Sequence, residues 1–235
     1  MKKKIFAIVL CVAMLAIAVV GGTMAYFTDA DEKTNTFTVG SVEIELLESQ
    51  YHRVVDKAEG TSQLSDDAIK ADAETYQDEY LAVYGRNIVP GVWVRKAPYI
   101  VNTGNSPAYV RVRLLVPTEL FSGNPGLEIM TTTTATIDGS ITGPVAAGSK
   151  TIDNVEYNEY IFTYVNPLAP SEMTYWPAFW QARLTTDCDN EHIDAFIENG
   201  VITEDGEFNI LVQADAIQSE GFADAAAAFA AFDAQ

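Results

Sequence analysis

The stretch that decides the fold is Tyr109-Val110-Arg111-Val112-Arg113-Leu114-Leu115-Val116, in which two arginines alternate with apolar residues. An alternation with a period of two places apolar side chains on one face of a strand and polar side chains on the other. A second stretch, residues 155–165 (VEYNEYIFTYV), is rich in the aromatic residues that favour strands. Both stretches predict strands of a sheet that packs one face on a core.

Further strand patterns lie on both sides of these two stretches, with turn-forming residues between them. The other segments with strand character are residues 36–46, 92–101, 130–137, 171–184 and 208–217. We expect residues 92–101 and 109–116 to form a β-hairpin across the turn-forming stretch 102–107 (NTGNSP). Loops are indicated at Gly143, Pro144 and Gly148.

Helical signals are confined to three places. Residues 56–84 are acidic, and Ser65 stands where an N-cap precedes a helix, so we expect an acidic helical insertion there. Residues 190–198 predict a short helix, and the Ala-rich tail that follows Gly221 predicts another. Because strands do not alternate regularly with helices, the predicted fold class is all-β. We expect one antiparallel β-sandwich, jelly-roll-like, over residues 36–235, with a few peripheral helices.

The first 25 residues have the composition of a signal peptide. Three lysines precede an apolar run from Ile5 to Val20, and small residues stand before the junction of Ala25 and Tyr26. We expect cleavage between Ala25 and Tyr26, and an uncleaved N-terminal anchor is the alternative. Cleavage would also remove Cys11, so that Cys188 remains as a single thiol and no intramolecular disulfide is expected.

The charge balance is strongly acidic. The chain has 14 Lys and Arg against 33 Asp and Glu, a formal net charge of −19. Such a chain repels phosphate groups, so the sequence argues against a nucleic-acid partner and against docking on an anionic bilayer through a basic patch. We therefore expect membrane contact only through an uncleaved leader.

One short stretch has metal-ligand chemistry. The residues concerned are Asp187, Cys188, Asp189 and His192. Two borderline ligands are too few for a closed zinc site, and a helical zinc motif is missing because His52 and His192 are the two histidines of the chain. The glycine-containing calcium loop is missing as well. We expect no catalytic residue, no cofactor and no metal site, with at most weak Ca²⁺ binding by acidic loops.

An aromatic stretch, residues 175–180 (YWPAFW), has two interpretations. Tyr175, Trp176 and Trp180 would form a platform on which a carbohydrate stacks, or they would belong to the core of the sandwich with their polar ends at its rim. The second interpretation is favoured because large aromatic side chains are mostly buried.

Three groups of residues resemble the TasA/camelysin family. Residues 21–29 (GGTMAYFTD) and 35–42 (NTFTVGSV) resemble its export signal and N-terminal signature. Residues 98–105 (PYIVNTGN) with residues 109–112 (YVRV) resemble a hairpin motif of the family. Residues 212–222 (VQADAIQSEGF) resemble the last strand of its members.

This resemblance implies a jelly-roll subunit of the extracellular matrix (biofilm) fibres of a Gram-positive bacterium. The leader would be cleaved by a dedicated signal peptidase, and the protein would lie in the matrix or on the cell surface. In the fibre-forming members, the freed N-terminal segment adds as a strand to the neighbouring subunit. Here that segment is residues 26–40, with candidate donor-strand positions at Tyr26, Phe27, Phe37 and Val39. The partner would be a second copy or a related fibre subunit.

Alternatives to this hypothesis remain open. Residues 26–40 are also compatible with a loose terminus followed by an ordinary first strand. In place of a fibre subunit, the chain would be a monomeric cell-surface binding module for a polysaccharide or a protein partner. The third and least favoured hypothesis is a surface metalloprotease, because camelysin-like proteins have been described as such.

Overall fold

The computed structural model describes residues 28–31, 41–85, 88–121, 125–132, 139–204 and 207–234. The strands in these ranges are β1 (Thr28–Asp31), β2 (Ile44–Ser49), β3 (Val94–Arg95), β4 (Ala97–Asn102), β5 (Ala108–Pro117), β6 (Leu127–Thr131), β7 (Ile141–Ile152), β8 (Val155–Tyr164), β9 (Phe179–Leu184) and β10 (Leu211–Gln218). The helices are α1 (Asp66–Thr75), α2 (Ala82–Tyr84), α3 (Thr118–Phe121), α4 (Asn190–Glu198) and α5 (Ala225–Asp233), with a π-helical segment (Tyr76–Leu81) between α1 and α2.

The strands pair in an antiparallel manner and form three sheets. The largest has the order β1-β10-β5-β8-β7, and the smaller sheets are β2-β4 and β3-β9-β6. Strand β5 is central, because Val112 stands opposite Ala214 of β10 on one side and Phe162 of β8 on the other. The predicted all-β fold with antiparallel sheets and a few peripheral helices is confirmed.

The main core lies between the five-stranded sheet and the two smaller sheets. Alternate residues of β5 supply one side of it, and these are Val110, Val112, Leu114 and Val116. Ile44 of β2, Ile100 of β4 and Phe179 of β9 supply the other side. Because apolar burial drives the packing of such layers, the alternation along β5 sets which face of the large sheet is turned inward.

The predicted hairpin between residues 92–101 and 109–116 is wrong. Strand β4 pairs with β2, whereas β5 pairs with β8 and β10, so the turn between them connects two different sheets. All six residues of β4 are buried, and so are nine of the ten residues of β5, which a two-stranded ribbon on a surface would not allow. Alternation along the chain shows that a strand exists, but it does not show which strand is its partner.

The loops predicted at Gly143, Pro144 and Gly148 are also wrong, because strand β7 runs through all three residues. The pairing of β7 with β8 shifts in register between Thr142 and Val145 and again between Ala146 and Ser149. Each shift marks a β-bulge or irregularity, and glycine and proline are tolerated at such places on an edge strand.

The strand predicted over residues 208–217 is observed as β10, which begins at Leu211 and ends at Gln218. The strand predicted over residues 130–137 is observed only at its start, as the end of β6, and residues 133–138 lie outside the described part of the chain.

The longer helices begin at capping side chains. Ser65, Asp189 and Asp224 accept a hydrogen bond from a backbone N–H of the first turn of α1, α4 and α5, respectively. Helix α5 packs on the outer face of the large sheet, where Phe229 and Ala228 contact Ile217 of β10. No helix among the described residues is long and apolar enough to cross a membrane.

Candidate functional site

The edge formed by β10 in the large sheet is only partly paired. On one side, β10 pairs with β5 from Leu211 to Gln218. On the other side, β1 pairs with the second half of β10, from Thr28 opposite Ile217 to Asp31 opposite Ala214. Within the described residues, the backbone of Leu211, Val212 and Gln213 has no strand on this side. An unpaired strand edge is a template for a further strand.

A groove runs along β2 and the helical segment that follows it, and Val212 of β10 lies at its side. Its volume is about 600 Å³. Its lining residues are Glu45, Leu46, Leu47, Glu48, Lys70, Ala73, Glu74, Gln77 and Val212. Strand β2 pairs with β4 and has no second strand partner in the described part of the chain. Its lining combines apolar side chains with three carboxylates and one ammonium group, and this composition suits an extended segment better than a compact apolar ligand.

The opposite edge of the large sheet is protected against strand addition. This edge is β7, which has a proline, two irregularities in register and an exposed surface along most of its length. Natural sheets use proline, bulges and lysine to prevent edge pairing, and β7 also includes Lys150. The β10 edge is therefore the better acceptor of the two.

The turn between β4 and β5 holds the chain just after the N-terminal segment. The backbone N–H groups of Thr103 and Gly104 donate to Glu43 O at 2.9 and 3.0 Å, and that of Asn105 donates to Ser41 O at 3.1 Å. A Cβ atom on Gly104 would lie 2.2 Å from Ser41 O, so only glycine permits this approach.

The buried side chain of Asn102 fixes the same turn. Its Oδ1 accepts from the N–H of Gly104 at 3.0 Å, and its Nδ2 donates to Ser106 O and Leu168 O, both at 2.9 Å. The Asn-x-Gly pattern that resembles a family motif is therefore an anchor for residues 41–43, rather than the hairpin turn that the sequence indicated.

The outer face of β10 carries a buried ion pair that the sequence analysis missed. Arg111 of β5 is 2% exposed, and its Nε donates to Asp215 Oδ2 of β10 at 2.7 Å. Its two terminal nitrogens donate to the carboxylate of Asp233 in α5 at 2.8 and 2.6 Å. The guanidinium also lies over the rings of Phe229 and Phe232. Alternation placed Arg111 on a polar face, and only the packing of α5 on that face buries it.

Protonation at this cluster follows from the same contacts. Burial acts to lower the pKa of Arg111, but its hydrogen bonds to Asp233 and Asp215 outweigh burial and raise it. The hydrogen bond from Arg111 holds the pKa of Asp233 below its usual value. The cluster therefore stays charged at neutral pH and ties α5 to β5 and β10.

The structure does not bring the weak metal candidates together. Cys188 is buried, and its Sγ lies 3.9 Å from Gly126 O and from Thr185 Oγ1. Asp189 caps α4 and contacts His192 Nδ1 at 2.6 Å on the surface. Asp187 is exposed. No group of three or more histidine, cysteine, aspartate or glutamate side chains that fits a metal ion occurs in the described ranges.

The three platform candidates lie together around a histidine. The ring of His52 is 5.7 Å from that of Trp176 and 5.4 Å from that of Trp180, between ring centroids. Tyr175 packs edge-on against Trp176, and Tyr175 alone of the three candidates is exposed. His52 Nδ1 accepts from two backbone N–H groups, and burial lowers the pKa of His52. The indole rings are thus partly occupied by neighbours within the chain.

The structure does not describe the predicted cleavage site or the predicted donor positions. Ala25, Tyr26, Phe27, Phe37 and Val39 lie outside the described residues. Between them, the backbone of residues 28–31 forms β1.

Comparison with known proteins gives one family. Residues 1–66 match the family model described as camelysin metallo-endopeptidase. No curated protein and no solved structure matches the chain. The matched part includes the segment predicted to be a leader, the N-terminal segment with β1, and β2, which borders the groove. Over residues 1–66 the chain carries the sequence pattern of the camelysin family, and the resemblance to the TasA/camelysin family is confirmed there.

Proposed function

We propose that the chain is a secreted structural subunit of extracellular matrix fibres, and that it assembles by adding its N-terminal segment as a strand to the β10 edge of a neighbouring copy. The observation that carries this proposal is that β1 pairs with only half of β10, whose remaining residues on that side have no strand partner in the described part of the chain. A segment that already pairs with β10 in its own chain has the backbone chemistry to pair with the β10 of another copy.

Exchange between copies is favoured where the donated strand makes more contacts than β1 makes within one chain. Strand β1 pairs with four residues of β10, and within the described ranges Leu211, Val212 and Gln213 have no strand partner on that side. Each added backbone hydrogen bond stabilises the pair by about 0.5–1.5 kcal/mol. A longer donated strand therefore compensates for the entropy lost when two copies join.

The match at residues 1–66 supports the same role, because it covers the leader and the segment that would be donated. A leader that keeps the segment tethered until export would prevent assembly inside the cell. In this proposal a signal peptidase acts on the chain between Ala25 and Tyr26, and the protein then lies outside the cell. The role is structural, with no catalytic residue and no cofactor.

Negative-stain electron microscopy tests this function. We expect protein that begins at Tyr26 to form long regular filaments. Protein that begins at Thr38 should stay monomeric, because it lacks β1 and most of the donor segment. Circular dichroism of the shorter protein controls for loss of fold. Filaments from the shorter protein would contradict strand donation, and a monodisperse monomer from the longer one under all salt conditions would contradict the fibre function.

A further inference from the structure

An exposed apolar surface lies at one end of β10. We call it the apolar tip, and its members are Val83, Tyr84, Val89 and Val92, which are 64%, 58%, 60% and 53% exposed. Beside it is a pocket of about 290 Å³, whose apolar lining includes Leu81, Ala82, Ile88, Phe208 and Ile210. Exposed apolar residues that cluster in this way mark interaction surfaces more often than isolated ones do.

The pocket connects the apolar tip to the groove. Residues 207–210 line the pocket and lead directly into β10 at Leu211. Gln77 lines both the pocket and the groove. The apolar tip therefore lies at the Leu211 end of β10, which is the end that β1 leaves unpaired.

The direction of β1 shows where a donor subunit must lie. Strand β1 is antiparallel to β10, so the Asp31 end of β1 is the end that is directed toward Leu211. A donated strand that keeps this register would place residues 32–34 opposite Gln213, Val212 and Leu211. Six residues, 35–40, then remain before Ser41, and they span at most about 20 Å when fully extended. The body of the donor is therefore held close to the pocket and the apolar tip.

We propose that the apolar tip and its pocket form the contact with the body of the second copy that donates its strand. This inference rests on the proposed function. Charge supports a second copy as the occupant, because residues 81–94 include no acidic residue in a chain with a net charge of −19. The four residues of the apolar tip thus place no carboxylate against an acidic second copy, and Glu207 is the one acidic residue that lines the adjoining pocket among the described residues.

The test compares two double variants of the protein that begins at Tyr26. Val89→Ser/Val92→Ser removes apolar surface from the tip. Val145→Ser/Val165→Ser is the matched control, because these valines are also exposed but Val145 lies on the opposite edge strand, β7, and Val165 directly follows β8. Sedimentation measures the protein concentration above which filaments form. We expect this critical concentration to rise about tenfold for the tip variant and to stay within about twofold for the control.

A second readout separates this inference from the strand donation on which it rests. Copies with Glu32→Cys are mixed with copies with Gln213→Cys, and a disulfide between copies reports a donated strand in the register of β1. Tyr84→Ser/Val89→Ser is a further tip variant, with thermal unfolding to show that both tip variants fold. An unchanged critical concentration for both tip variants, with the disulfide formed, would overturn the contact alone. If copies without substitutions in the apolar tip form no disulfide, both the contact and the strand donation are overturned.

Discussion

Arg111 is the residue that joins the large sheet to the C-terminal helix. It bridges Asp215 and Asp233 from a position that is 2% exposed, with two phenylalanine rings against its guanidinium. Two charges that are buried together stabilise a fold only while both are present, because removal of one leaves the other unpaired in a poorly solvated place. Its contribution is therefore best measured by removing each partner in turn.

Replacement of Arg111 by methionine should destabilise the protein severely. Asp215 is 2% exposed and would keep only the longer contact with Arg113 at 3.4 Å. We expect a loss of about 3–5 kcal/mol in the free energy of unfolding, measured by urea denaturation. Arg183→Met is the control, because its pair with Glu128 is partly exposed and should cost about 1 kcal/mol or less. Arg111→Met/Asp215→Asn should recover part of the loss, and an equal loss in the single and double variants would contradict the ion-pair explanation.

His52 should make the stability depend on pH. Its Nδ1 accepts backbone N–H groups of Val54 and Val55 at 3.3 Å, and burial lowers its pKa from the usual 6.5. The unfolded chain then takes up a proton more readily than the folded one, so stability should fall as the pH decreases below about 6.5. Urea denaturation between pH 7.5 and 5 measures this.

Two variants isolate the contribution of His52 to this pH dependence. His52→Asn keeps an acceptor atom at the position of Nδ1 but does not titrate, so the decrease in stability with falling pH should become smaller. His192→Asn is the matched control, because it replaces the other histidine of the chain, which is half-exposed and contacts Asp189 at the surface. If both variants follow the parent curve, the pH dependence does not come from His52.

At the scale of single elements, the turn between β4 and β5 holds residues 41–43, which join the N-terminal segment to β2. Gly104 should not tolerate a side chain, because Cβ would lie 2.2 Å from Ser41 O and 2.7 Å from Glu43 N. We expect Gly104→Ala to lower the free energy of unfolding by about 1–3 kcal/mol. Thr103→Ala, at an exposed neighbour, should change it by no more than about 0.5 kcal/mol. Equal stability of the two variants in urea denaturation would show that this close approach is not needed.

Local patterns predicted individual strands and helices better than their partners. The aromatic residues of 155–165 predicted β8, and Ser65 predicted the start of α1, because both signals depend on residues close together in the chain. The pairing of β4 with β2 was not predictable in this way, since it depends on residues about 55 positions apart. Gly143 and Gly148 were taken as loop signals, although glycine serves an irregular strand equally well.

Only those parts of the candidate site that lie within one short stretch of sequence were predictable. Residues 1–112 contain the predicted leader, the N-terminal segment and the Asn102-x-Gly104 pattern, and the family match covers the first 66 of these residues. The groove along β2 joins residues that are about 165 positions apart, so only the folded chain shows it. The burial of Arg111 likewise needed the position of α5.

At the scale of the whole molecule, charge should control assembly. The full chain has a formal net charge of −19, and a copy that begins at Tyr26 lacks three lysines and no acidic residue, which makes its charge −22. The groove itself has three carboxylates against one ammonium group. Like charges on neighbouring copies repel, and salt screens this repulsion. The Debye length falls from about 10 Å at 0.1 M to about 3 Å at 1 M salt. We therefore expect the critical concentration of the protein that begins at Tyr26 to decrease as NaCl is raised over this range.

Divalent cations should act by the same general screening. Calcium and magnesium chlorides at equal concentration should lower the critical concentration to the same extent, as sedimentation can measure. An effect of calcium without one of magnesium would contradict general screening and would indicate a specific calcium site.

The central claim is that one copy supplies a strand to the β10 edge of the next. The most direct measurement is the mixed disulfide between copies that carry Glu32→Cys and copies that carry Gln213→Cys, each starting at Tyr26, under filament-forming conditions. Native Cys188 is buried, so it should not compete. Strand donation predicts covalent dimers that each join one copy of each kind, and no such dimer in a sample that holds only one kind of copy. Filaments that form without this dimer would contradict the account.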